Sequence, residues 1–134
     1  MLENLSLIIT EVARFTNKHK INAEFHLHYV HELNEGQENQ SECWARFERH
    51  GGVYCFFDPT GKNVKYIGMS EISTGSRLHY WLYRKNKLTE KIDREDIILH
   101  IVLEKEPYMA SALETYLVQN IPTLHNVRKI EKAA

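Results

Sequence analysis

Gly52-Val53-Tyr54-Cys55-Phe56-Phe57-Asp58-Pro59-Thr60-Gly61-Lys62-Asn63-Val64-Lys65-Tyr66-Ile67-Gly68 is the stretch that decides the fold. Two apolar runs of strand length, rich in aromatic and β-branched side chains, flank a polar break. In that break Pro59 presets φ for a turn and Gly61 tolerates φ > 0, so the two runs read as an antiparallel hairpin. Such a hairpin brings the phenols of Tyr54 and Tyr66 into one small area.

Downstream, Ser73-Thr74-Gly75-Ser76 offers oxygen-bearing caps ahead of a helical stretch from Arg77 to about Lys87, with Arg77 in its first turns and Leu78, Trp81 and Leu82 sharing one face. Ile97 to Leu103 is a β-branched run that suits the central strand of a small sheet. A last helix is expected from Pro107 to Asn120, where Met109, Ala112, Leu113, Tyr116 and Leu117 recur at helical spacing before Pro122 stops it.

Upstream, Leu2, Leu5, Ile8, Ile9, Val12 and Phe15 mark an amphipathic helix that ends near Lys20. Phe25, Leu27 and Tyr29 alternate with Glu24, His26 and His28 as in a half-buried strand, while Val30 and Leu33 suit a second helix; both readings stay open. Residues 34 to 42 carry no large apolar side chain and read as a loop. The expected fold is therefore α+β: a small three-stranded antiparallel sheet flanked by helices over residues 51–134, with an N-terminal helical extension over residues 1–50 packing on it.

A chain of 134 residues fits one domain, and its 26% charged residues are those of an ordinary globular protein. No apolar run approaches the roughly 20 residues that span a bilayer, and no basic, then apolar, leader opens the chain. A cytoplasmic protein that does not enter the membrane is expected. Cys43 and Cys55 fit neither zinc-ligand nor redox-motif spacing, and both are expected reduced and structural. His26 and His28 would share a strand face with His31 near, but no further ligand is well spaced for zinc.

The formal charge of −1 is unevenly spread. Residues 1–50 hold five Lys/Arg against eight Glu, or −3, and residues 51–134 hold twelve Lys/Arg against ten Asp/Glu, or +2. Arg77, Arg84, Lys85, Lys87 and Lys91 against Glu90 make a local +4, suited either to phosphates or to a solvated helix face.

The ordered set Gly52-Val53-Tyr54, Tyr66-Ile67-Gly68, Arg77, then Ala112-Leu113-Glu114 and Asn126 after Pro122, resembles the GIY-YIG nuclease superfamily from Gly52 to about Asn126. The resemblance implies a divalent-metal-dependent endonuclease hydrolysing phosphodiester bonds in DNA, with RNA the less favoured substrate; a homodimer could cut both strands or a monomer nick one, and both readings stay open. It implies Tyr54, Tyr66, Arg77 and Glu114 as catalytic residues, with Tyr54 as the general base and Tyr66 assisting. Glu114 would hold Mg²⁺ or Mn²⁺, a hard ion suited to carboxylate oxygen. Arg77 would clamp the scissile phosphate through its planar fork of donors. Gly68 would allow close approach of backbone or substrate; Ser70, Arg84, Lys85 and Lys87 would contact the nucleic-acid backbone; Asn126 would brace the site from behind.

Two departures from the family pattern stand out, and Met69 together with the weak overall charge motivates an alternative. Met69 follows the second triplet where many members carry lysine or a small polar residue, and Trp81 stands one helical turn beyond Arg77 where several carry histidine. His79 points roughly 200° from Arg77 on a helix and does not replace it. The alternative is a catalytically inactive domain of the same fold that binds nucleic acid or regulates. Taken singly, each tyrosine reads as an ordinary strand aromatic and Glu114 as a helix surface residue.

Overall fold

A computed structural model describes residues 3–34, 50–74, 91–124 and 126. The calls on Cys43, Arg77, Arg84, Lys85 and Lys87, and most of the expected loop from residue 34 to 42, lie outside the described residues.

The first helix, α1, spans Glu3–His19. Leu5, Ile8, Val12 and Phe15 form its buried stripe, as the three- and four-residue spacing requires. Lys18 and His19 in its last turn oppose the negative end of the helix, and Lys20 at φ 55° turns the chain away. The segment left open by the sequence resolves both ways: Glu24–Tyr29 is strand β1, and Val30–Asn34 is a short helix α2.

Strand β2 (Gly52–Phe57) and strand β3 (Val64–Ser70) form the expected hairpin, pairing Tyr54 with Gly68 and Phe56 with Tyr66. Asp58 organises the turn between them. Its carboxylate accepts from Thr60 Oγ1 at 2.7 Å, from the Lys62 N–H at 3.1 Å and from Asn63 Nδ2 at 2.7 Å, while Gly61 takes φ 72°. Phe57 pairs with Val64, so Lys65 is the extra residue of a bulge. The bulge sends Lys65 Nζ to Asp96 Oδ2 at 2.7 Å and to the Lys91 carbonyl at 2.8 Å.

Strand β4 (Ile97–Val102) lies inside the sheet as its apolar run predicts, and the strand order is β1-β4-β2-β3 with antiparallel pairing throughout. The expectation of three strands is corrected to four. β1 comes from the N-terminal segment and pairs with the edge of β4 that β2 leaves open, from Glu24 opposite Val102 to Tyr29 opposite Ile97. Residues 1–50 thus supply a strand as well as a helix.

A 3₁₀ turn, Pro107–Met109, leads into helix α3, Ala110–Asn120. Val53, Cys55, Phe57, Ile67, Leu99 and Ile101 alternate onto one face of the sheet and pack with α1 and with Leu113, Leu117 and Val118 of α3. This is the first face and the main core. Tyr116 on α3 donates to Glu11 on α1 at 2.9 Å, tying the two helices together beside it. No helix among the described residues is long and apolar enough to cross a membrane.

Candidate active site

The second face carries the chemistry. Register places His26, His100, Tyr54 and Gly68 opposite one another, so one transverse row crosses all four strands: imidazole, imidazole, phenol, glycine. Alternation points these side chains to the face that α1 and α3 do not occupy. Tyr54 is fully buried, with its ring 6.0 Å from Phe56 edge-on and 6.5 Å from Tyr66 at 34°. Two of the nominated catalytic residues therefore meet.

Gly68 explains how they fit. A Cβ built there would overlap the Tyr54 phenol, so the ring lies directly over the glycine backbone. The close approach expected of Gly68 is thus to the protein's own phenol. Tyr66, across from Phe56, is half-buried and is the more accessible of the two hydroxyl-bearing rings.

Ser70 ends β3, where its Oγ accepts from the backbone N–H of Ile72 at 3.2 Å and of Ser73 at 3.0 Å. Its oxygen braces the loop that leads to Thr74. Thr74 is held twice more, its N–H donating to the His50 carbonyl at 3.1 Å and its Oγ1 sharing a hydrogen bond with His100 Nε2 at 2.8 Å. Both Thr74 and His100 are fully buried. Burial, then the charges of His26, His28 and His50, push the His100 imidazole down to about 3, so it is neutral at any ordinary pH.

Glu114 sits on the buried stripe of α3 with Ala110, Leu113, Leu117 and Val118 and is 8% exposed. Its helix packs on the first face, whereas the phenols lie on the second. Burial, then the Glu114 charge, raise the Cys55 thiol far above the usual range, which keeps Cys55 an inert thiol of the core. Asn126 is also buried. It brackets Ile67 in β3, accepting from the N–H at 2.9 Å and donating to the carbonyl at 2.8 Å.

Among the described residues no group of three His, Cys, Asp or Glu side chains gathers around a point that would hold a metal ion. Glu114 offers hard oxygen donors, so the donor chemistry fits Mg²⁺ or Mn²⁺ with water and phosphate completing the shell. Sequence reasoning did not nominate His100 or Thr74. The signal was present: His100 is the one polar residue in the run Ile97–Leu103, and a polar group inside such a run needs a partner.

No family model matches the chain, nor does any curated protein or solved structure.

Proposed function

We propose that the chain is a divalent-metal-dependent endonuclease that hydrolyses phosphodiester bonds in DNA, acting through Tyr54, Tyr66, Arg77 and Glu114. The observation that carries this reading is the paired phenols: Tyr54 and Tyr66 side by side on one sheet face, their rings tilted by 34°, with Gly68 making the room. Their ring centroids lie 6.5 Å apart, and the pair coincides with the resemblance to the GIY-YIG superfamily.

Phosphodiester hydrolysis needs an activated water and neutralisation of charge on the phosphoryl oxygens. Tyr66 is partly open to solvent and would bind that water or the phosphate, with the buried Tyr54 behind it. A phenol with a reference pKa near 10 serves as a base only where positive charge favours its phenolate. Arg77 would supply that charge together with a phosphate clamp, and Ser70, Arg84, Lys85 and Lys87 would hold the nucleic-acid backbone. Mg²⁺ or Mn²⁺ held by Glu114 would supply Lewis-acid stabilisation of the developing charge.

One observation favours a second reading, an inactive nucleic-acid-binding domain: the helix of Glu114 packs on the face opposite the phenols. A supercoiled-plasmid nicking assay in Mg²⁺ or Mn²⁺ separates the two. The nuclease reading expects nicking by the parent and at least a 100-fold loss in Glu114→Ala, Arg77→Ala and Tyr66→Phe. Equal nicking in all four proteins removes the site, and DNA binding without nicking by the parent establishes the inactive domain.

A further inference from the structure

The row across the sheet connects a buried anchor to the phenol pair. Thr74 Oγ1 grips His100 Nε2 at 2.8 Å, and His100 stands directly across the strand pair from Tyr54. Side chains at such positions are separated by about 5 Å at Cβ, within contact reach of two rings. Neither Thr74, His100 nor Tyr54 has any exposed surface, so a rotation of the imidazole has nowhere to go without moving its neighbours. On the far side the Tyr54 ring rests on Gly68 and against Tyr66.

We propose that His100 is a positioning residue for the phenol pair: gripped by Thr74, its imidazole fixes the rotamer of Tyr54 and through it the place of Tyr66. This rests on the reading of the tyrosines as the active site. In either neutral tautomer Nε2 holds the threonine hydroxyl, as donor in one and as acceptor in the other. Because Thr74 also closes the loop that begins at Ser70, the same grip aligns the end of β3 with the strand beneath Tyr54.

The test uses Thr74→Val, which keeps shape and removes the hydroxyl, with His100→Leu and His100→Gln, the latter returning a polar group near the Nε2 position. Protein carrying ring-labelled tyrosine is examined by NMR, the Tyr54 signal being assigned with Tyr54→Phe. The expected result is a displaced Tyr54 signal in Thr74→Val and His100→Leu and a signal near the parent position in His100→Gln. Where the parent nicks plasmid, kcat falls roughly 10- to 100-fold in the first two variants with KM little changed, and His100→Gln recovers most of it.

An unmoved Tyr54 signal in folded Thr74→Val overturns the proposal whatever the nicking result. A displaced signal in a parent background that does not nick keeps the positioning role and removes the nuclease reading. Should His100→Leu fail to fold, Thr74→Val alone decides.

Discussion

Asn126 brackets Ile67 as a neighbouring strand would, its carboxamide accepting from the N–H at 2.9 Å and donating to the carbonyl at 2.8 Å. One side chain thereby satisfies both backbone groups on the open side of β3. The bracket continues upstream, where Leu124 donates to the Val64 carbonyl at 3.0 Å and Thr123 bridges Val64 in parallel. Replacing Asn126 by Leu leaves two buried backbone groups without partners and is expected to cost about 2–4 kcal/mol. Asn126→Asp is expected to lose as much at neutral pH, since a carboxylate has no donor for the carbonyl. Urea unfolding followed by circular dichroism measures both.

Gly68→Ala tests the phenol pair from the other side. The added methyl group overlaps the Tyr54 ring, so the ring must swing or the strands must part. Overpacking of this kind costs about 1–3 kcal/mol. On the nuclease reading kcat for plasmid nicking falls roughly 100-fold while DNA affinity, by fluorescence anisotropy, changes little. Wild-type turnover in a folded Gly68→Ala protein contradicts a catalytic role for the pair.

Lys65 and Asp96 form the buried ion pair that closes the bulge. Burial pushes the Asp96 carboxyl up despite Lys65, whereas Asp96 and Asp93 raise the Lys65 ammonium in spite of its burial. The two directions agree physically, because the carboxylate is the deeper partner and the lysine is what makes its charge tolerable. Lys65→Met strands that charge and is expected to cost about 3–5 kcal/mol. The double variant Lys65→Met/Asp96→Asn is expected to recover a large part, read as a non-additive cycle in thermal unfolding.

Asp58 gives the acid limit of the hairpin. Burial raises its carboxyl, but hydrogen bonds from Thr60, Asn63 and the Lys62 N–H outweigh it and leave the folded value below the usual 3.8. A depressed folded value stabilises the protein above the unfolded value, and that contribution is lost as pH falls through the folded one. Melting curves are therefore expected to hold through neutral pH and decline below about pH 4, with Asp58→Ala losing roughly 1 kcal/mol at pH 7 and showing a shallower acid decline. The turn is largely exposed, which keeps the effect small.

What the sequence made legible follows the strength of its periodic signals. The hairpin, α1, β4 and the last helix each carry an unmixed pattern and stand within a few residues of expectation. β1 was ambiguous because Val30 and Leu33, which belong to the short helix that follows it, extend its apolar pattern at helical spacing. The alternation suggested the strand but not its burial: Phe25, Leu27 and Tyr29 are 39%, 52% and 46% exposed while His28 is buried, the strand being held by backbone pairing to β4. Of the site, the Tyr54–Tyr66 approach followed from the hairpin. The place of Glu114 relative to the phenols did not, because which sheet face a helix covers is a tertiary choice that helical spacing leaves open.

The pairing of β1 with β4 joins Glu24 to Val102 across most of the chain. The two helices joined through Glu11 and Tyr116 are separated still more widely along the polypeptide. During synthesis the N-terminal third must therefore wait, its greasy stripe unburied, until the C-terminal third has left the ribosome. Topologies closed by such distant contacts fold on millisecond-to-second timescales, slower than helical bundles of equal size.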